Sequence, residues 1–399
     1  MPTESAFLLA GLLFIAAALG YVFAKYGDTD EEDMTADQLN ADYMKGLNYV
    51  LNEEPDRAVE VFTRMAELDD EALETHFALG SLFRKRGEVD RAIQVHQNLI
   101  ARPALSKLQK YQAEAALAED YLSAGLFDRA EAMFIGLRDT REFRLTALLR
   151  LRRIYETTRE WSRAIEIGKE LDRMSNHGGQ STKDIGQIAH YYCELAEAAW
   201  KARDSKEAHQ QLKHANAGPS RTVRSLLIQA DMARESDEPL DAIKLYKDAV
   251  KNAPDLLVEV LPNLAACYRA AAQQDALSEF FHDLIGADKN NVAAIALAAV
   301  RDPGIQNAVA LQAVEDFIAL DPTLRGLAGT DQFSQLGETD RIAAINRIRE
   351  ALRGVVSSRP GYYCRECGYA CLVMQWQCPG CHSWETVRPV TKINLISGV

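Results

Sequence analysis

The stretch "THFALGSLFRKRGEVDRAIQVHQNLI", residues 75–100, decides the fold. Its small residue Gly80 is followed by Phe83, Gly87 and Ala92 at offsets of three, seven and twelve. Thirty-four residues earlier, Gly46, Tyr49 and Ala58 keep those offsets apart from the turn glycine. Downstream the pattern returns at Ala118, Tyr121, Gly125 and Ala130 with Phe134, then at Tyr155 and Ala164. It returns again at Ala196 and Ala208, and at Ala230 and Ala242 with Tyr246 and Pro254. The alanines at 58, 92, 130, 164, 208, 242 and 276 step by 34, 38, 34, 44, 34 and 34 residues. A unit of that length is two helices and a turn, with Gly or Ala where the helices cross closely and an aromatic filling the gap beside it.

Such a unit resembles the tetratricopeptide repeat, and the resemblance covers residues 38–320, without the tryptophan that often opens a repeat. The longer steps mark inserted residues, among them "SNHGGQSTKD" at 175–184, which reads as a flexible loop. Residues 291–320 are helical with weaker repeat character and bring the count to eight or nine units. The first helix of each pair builds the concave face of such a solenoid. Positions one and four residues after the small residue point towards it, which selects Arg84, Glu119, Arg153 and Glu156 as candidate protein-binding residues. Ordinary solvated charges are the plainer alternative. A surface of this kind binds extended segments or helices of other proteins and supplies no chemistry.

The rest of the composition agrees. With 399 residues and a net charge of -13, the chain lacks the basic surface that nucleic acid or anionic lipid requires, so protein partners are expected. It contains no GxSxG, HExxH, P-loop or GxGxxG, and no enzymatic activity is expected. Cys193 and Cys267 sit alone in helical patterns and read as buried, inert thiols. His190 and Cys193 lie one helical turn apart, but two ligands without a third read as packing.

Residues 6–24, "AFLLAGLLFIAAALGYVFA", carry no charge and are long enough to cross a bilayer as one helix. The preceding "MPTES" has Glu4 and no Lys or Arg, which favours an uncleaved anchor over a cleaved signal peptide. Lys25 and Lys45 follow the span, and paired CxxC knuckles meant for metal need a reducing compartment. Both point to a single-pass membrane protein with residues 25–399 on the cytoplasmic side and residues 1–5 on the other. The run "DTDEED" at 28–33 lies in an acidic linker, 25–37, that keeps the solenoid off the membrane surface. Small residues in "AGLLFIAAALG" permit close packing of the span on partner helices, and homo-oligomerisation stays open.

Five of the seven cysteines fall in "YYCRECGYACLVMQWQCPGCHSW". Cys364 and Cys367, with Cys378 and Cys381, form C-x2-C-x10-C-x2-C, in which two tight turns can direct four thiolates at one ion. Gly368 suits the first turn because glycine tolerates positive φ. In the second turn His382 stands in that place, which predicts a slightly less regular knuckle with His382 beside the ligands rather than among them. Cys371 reads as packing. Sulfur tetrahedra suit zinc or a single iron, and spacing does not choose between them. So short a segment folds largely on its ion. Its surplus of apolar residues, Tyr363, Tyr369, Val373, Met374, Trp376 and Trp384, predicts docking onto the last helices, such as "DRIAAINRIREAL" at 340–352.

Anchor, acidic linker, degenerate repeats and a terminal "YxCxxCG…W.CPxCxxW.T…P" together resemble the lipopolysaccharide assembly protein B family. The motif runs here through Cys364, Cys367, Gly368, Trp376, Cys378, Pro379, Cys381, Trp384, Thr386 and Pro389. The resemblance implies an all-α protein with an N-terminal transmembrane helix, a tetratricopeptide-repeat α-solenoid (38–320), a connecting helical segment (321–360), a rubredoxin-like metal-binding domain (361–392) and a tail (393–399). It further implies a rubredoxin-type ion on the four cysteines. It implies an inner-membrane adaptor that promotes degradation of the LpxC deacetylase by the membrane protease FtsH and coordinates other lipopolysaccharide assembly proteins. A generic repeat scaffold for another membrane complex and a rubredoxin-like electron carrier are the alternatives.

Overall fold

The computed structural model describes residues 36–320 with short interruptions and 360–390, together with isolated positions at 17, 21 and between 337 and 353. The span at 6–24, apart from Ala17 and Tyr21, lies outside the described residues, as do the linker up to residue 35 and the tail. Among the described residues no helix is long and apolar enough to cross a membrane.

Sixteen α-helices follow one another in pairs among the described residues. The pairs are α1 (Ala36–Leu51) with α2 (Pro55–Leu68), α3 (Leu73–Lys85) with α4 (Val89–Ile100), α5 (Lys107–Ser123) with α6 (Phe127–Arg138), and α7 (Arg144–Thr158) with α8 (Trp161–Gly178). They continue with α9 (Ile185–Lys201) and α10 (Ser205–Ala215), α11 (Val223–Glu235) and α12 (Pro239–Asn252), α13 (Leu257–Ala270) and α14 (Gln274–Ala287), and α15 (Asn291–Arg301) and α16 (Ala308–Leu320). Residues 291–320 are therefore a single eighth pair. The loop expected at 175–184 begins later, because α8 continues to Gly178; residues 179–184 lie outside the described ones. The chain divides within α7 into two compact units, 1–154 and 155–399.

The helix crossings explain the period. A Cβ added at Gly46 would meet the Phe62 ring at 2.7 Å, and one at Gly80 would meet the His96 ring at 2.5 Å. Ala118, Ala196 and Ala230 occupy the equivalent places with no exposed surface, as do the second-helix alanines 58, 92, 130, 164, 208 and 242. The aromatics Phe83, Tyr121, Tyr155, Phe134 and Tyr246 are buried beside them.

The turn within each pair is also fixed. Its left-handed residue is Gly87 (φ 83°), Gly125 (73°), Arg159 (59°), Arg203 (62°), Asp237 (62°) and Ala272 (52°) in successive pairs. The next N–H donates to a carbonyl five residues back, as from Glu88 to Phe83 and from Gln273 to Tyr268, both at 2.9 Å, closing a Schellman turn. Only two of the six are glycine, so the tertiary packing of the helices overrides the local cost of positive φ.

The same bonds correct the register of the seventh pair. Ala92, Ala130, Ala164, Ala208 and Ala242 each donate to the carbonyl four residues back, and in the seventh pair that residue is Leu277, bonded to Gln273 at 3.2 Å. Leu277 is buried, whereas Ala276 is only half-buried, so the crossing is one residue later than the alanine series suggests.

The C-terminal segment departs from the all-α expectation in detail, holding a small sheet. β1 (Tyr362–Cys364) lies between β2 (Ala370–Cys371) and β3 (Val387–Pro389), antiparallel to both. Its own core is only Tyr362, Cys364, Cys378 and Val387.

Replacing Leu277 by Ala should destabilise the chain by about 2–5 kcal/mol, whereas Ala276→Ser should change stability by less than about 1 kcal/mol. Denaturant midpoints of the two variants check this; equal effects would return the crossing to residue 276.

Candidate metal centre and its docking face

The sheet brings the two knuckles together. Sγ of Cys364 lies 3.6 Å from that of Cys381, and Sγ of Cys367 3.6 Å from that of Cys378. All four sulfurs lie within 4.8 Å of one another, and all four cysteines are free of disulfides. Four sulfurs about 2.3 Å from one ion would stand about 3.8 Å apart, so the arrangement suits a tetrahedral metal. Cys371, opposite Tyr362 on β2, lies outside the cluster and packs against the small core.

The knuckles are near copies. In the first, Gly368 (φ 75°) donates its N–H to the Cys364 carbonyl at 3.0 Å, and Cys364 donates to Tyr369 at 2.8 Å. In the second, His382 (φ 59°) donates to Cys378 at 2.8 Å, and Cys378 donates to Ser383 at 3.0 Å. The irregularity expected from His382 is absent: the residue adopts the left-handed conformation and makes the glycine's bond.

The thiols compete for protons. Burial would raise Cys364, but the Thr386 hydroxyl at 3.3 Å and the N–H groups of Cys367 and Glu366 hold it down, to about 6. Cys381 is also lowered, chiefly by Ser383. At Cys367 the Tyr369 N–H favours the thiolate, yet burial and the neighbouring sulfurs push the group up to about 12. Four thiolates this close repel, and a bound cation would relieve that repulsion. Cys364, Cys367, Cys378 and Cys381 fit a single ion, which would cross-link the two knuckles. Zinc and iron fit the donor set alike.

The domain does not stand alone. Trp384 stacks on His190 with ring centroids 4.8 Å apart, and meets Tyr191 edge-on at 5.8 Å and Trp161 at 6.2 Å. Its indole N–H donates to Glu156 at 3.4 Å, and Glu156 in turn accepts from the Tyr191 hydroxyl. The Arg224 guanidinium lies 5.7 Å from the Trp376 ring and 5.8 Å from that of Trp384, while bonding Glu194 at 2.7 Å and Glu197 at 2.9 Å. Further along, Arg365 and Arg388 donate to Asp255 at 2.9 and 2.8 Å, and the Tyr362 hydroxyl donates to Glu259 at 2.5 Å. Met374 and Trp376 pack against the core formed by α11 to α16.

Met374, Trp376 and Trp384 dock as expected, whereas Tyr363, Tyr369 and Val373 are exposed. The described contacts run along the repeats from Glu156 to Arg301, and the docking expected on 340–352 falls largely outside the described residues. A helix ladder presenting polar residues from successive repeats offers a long complementary face; His190 and Arg224, each six residues before a small residue, are the trace it leaves in the sequence.

The candidate protein-binding residues occupy different settings. Glu156 is buried against the metal domain. Arg84 pairs with buried Asp120 at 2.6 Å, and Glu119 pairs with Arg150. Arg153 is half-buried on α7. His190 faces Trp384 rather than a metal, and Cys193 is fully buried, its thiol pushed up to about 12 by burial.

His190 carries no charge near neutrality. Burial, then the charges of Arg224 and Arg388, lower its pKa to about 3. Its 3.5 Å approach to Glu385, whose own carboxyl is raised by burial, is thus a polar contact and not an ion pair.

Repeats and knuckles define the class: a tetratricopeptide-repeat protein ending in a rubredoxin-type metal-binding domain. The family described as "Rubredoxin metal binding domain" matches residues 362–389, and tetratricopeptide-repeat families match 75–109 and 193–256. Lipopolysaccharide assembly protein B of Escherichia coli strain K12 is 31% identical over 386 residues, covering 96% of this chain and 98% of that protein. Its counterpart from Haemophilus influenzae is 30% identical over 399 residues, with coverage of 96% and 98%. The chain belongs to the lipopolysaccharide assembly protein B family.

Two outcomes are expected. Chelating the ion, or replacing Cys378 by Ser, should unfold the small sheet and release its docking face. Trp161, Trp376 and Trp384, three of the four tryptophans, should then shift their emission to the red, a change that fails to appear if the ion is dispensable. Because the folded pKa of His190 lies below the ordinary value of about 6.5, its neutral form contributes stability that is present above about pH 6.5 and is lost as the pH falls from there towards 3. Denaturant titrations at pH 7.5 and pH 5 should show this loss, and His190→Phe should reduce it; an identical pH dependence in the variant would exclude His190 as its source.

Proposed function

We propose that this chain is a membrane-anchored, non-enzymatic adaptor of lipopolysaccharide synthesis, which presents the LpxC deacetylase to the FtsH protease and coordinates other lipopolysaccharide assembly proteins. The observation that carries this reading is the likeness to lipopolysaccharide assembly proteins along almost the whole chain, repeats and metal domain in one order. Repeated helix pairs supply long binding faces without reactive groups, which suits an adaptor. In the same reading residues 6–24 cross the inner membrane, residues 1–5 are periplasmic, and the solenoid works on the cytoplasmic side, where the thiols stay reduced. The four-sulfur site keeps no position open for substrate, so the ion serves the fold.

A tagged chain recovered from detergent-solubilised membranes should bring down both the protease and the deacetylase. Cells carrying Cys378→Ser should accumulate the deacetylase severalfold. Recovery of neither protein together with unchanged deacetylase levels would overturn the proposal, and recovery of an unrelated membrane complex would favour the generic scaffold.

A further inference from the structure

The first unit holds a cleft of about 500 Å³ on the helices of its first three pairs and the start of α7, walled by the rings of Tyr43, Phe77 and Phe143. Gln109 and Gln112 line it with amide groups, and among the described residues Glu74 is the charged one in its lining. The repeat register shows what these places do elsewhere in the same chain. Glu74 and Gln112 stand six residues before the small residues Gly80 and Ala118; His190 and Arg224 stand six before Ala196 and Ala230. In the second unit those two positions receive the indoles of Trp384 and Trp376. The metal domain's other anchors there are Arg365 and Arg388, both paired with the carboxylate of Asp255. One helix ladder thus accepts aromatic rings beside arginines on an acidic face, and the cleft repeats that chemistry with aromatic walls and a carboxylate.

We propose that the cleft between Tyr43, Phe77 and Phe143 is a docking site for an extended segment of a partner protein that presents an aromatic side chain beside an arginine or lysine. The ring enters between the three aromatic side chains, the cation pairs with Glu74, and the amides of Gln109 and Gln112 bond the segment's backbone. Aromatic pairs and a charge-matched rim account for selectivity without a deep pocket. The inference rests on the adaptor reading and specifies the chemistry of the partner at this face.

The test is a fluorescence-anisotropy titration of the full chain, in detergent, with a dye-labelled short peptide carrying one Trp-Arg pair in a Gly/Ser frame. Two control peptides change the Trp to Ala or the Arg to Glu. Saturable binding is expected, weakened about tenfold or more by either peptide change and by Phe77→Ala in the protein. Glu74 is exposed at the start of α3, so Glu74→Lys leaves the fold intact and should invert the preference, favouring the peptide with Glu. Equal binding of all three peptides, no saturable binding, or an unchanged charge preference in Glu74→Lys overturns the proposal. A deacetylase that still associates fully with the Phe77→Ala and Glu74→Lys proteins would overturn this site while leaving the adaptor reading standing.

Discussion

The close approach of paired helices is the constraint on which the rest of the molecule depends. At Gly80 a single added carbon would fall 2.5 Å from the His96 ring, so the crossing admits no side chain beyond glycine without displacement. His96 is itself fully buried and bonded to Asp120, which also holds Arg84, so the ring has little freedom to yield. With the crossing fixed every 34 residues or so, each first helix is held in one rotation about its axis. Within each unit, the residues six before the small position then recur on one face. Both the aromatic cleft of the first unit and the seat of the metal domain in the second arise from that recurrence.

The small residues and their aromatics were legible because steric exclusion leaves few alternatives: Gly or Ala fills most of the crossings, and the pattern survives a degenerate sequence. The turns were half legible. Gly87 and Gly125 announce a left-handed residue, while Arg159, Arg203, Asp237 and Ala272 adopt the same conformation without announcing it. Their cost in backbone energy is met by the packing of both helices, a tertiary effect that local composition does not record. For the same reason His382 looked like a defect in the second knuckle and is not one. The seventh crossing misled in the opposite sense: Ala276 continues the series of alanines, but the hydrogen bonds place Leu277 at the crossing.

The cysteine tetrad was legible in full, because metal ligation demands particular atoms at particular spacing. Its docking face was not, since that depends on which side chains from six helices converge in space. His190, Arg224, Asp255 and Glu259 carry no motif, and only the recurrence of His190 and Arg224 along the repeats hints at a common face. The mini-domain needs that face. A core of four residues cannot offset the ordering of some thirty. Ligation closes the knuckles and docking covers Trp376, Met374 and Trp384, so each supports what the other leaves marginal.

The electrostatics of the seat follow from the same economy of space. Arg224 is buried beneath two indoles, where an unpaired guanidinium would be costly, and Glu194 and Glu197 compensate it from the neighbouring repeat. Burial first, and then the charges of Arg224 and Arg388, keep His190 neutral, so it can stack flat on Trp384. Arg365 and Arg388 of the metal domain are directed instead to Asp255, one repeat further on. A face built in this way discriminates by register: a segment displaced by one repeat would put an arginine against Arg224 and an indole against Asp255. Selectivity in this solenoid therefore comes from the order in which ordinary residues recur, and the metal domain is the ligand for which the second unit is ordered.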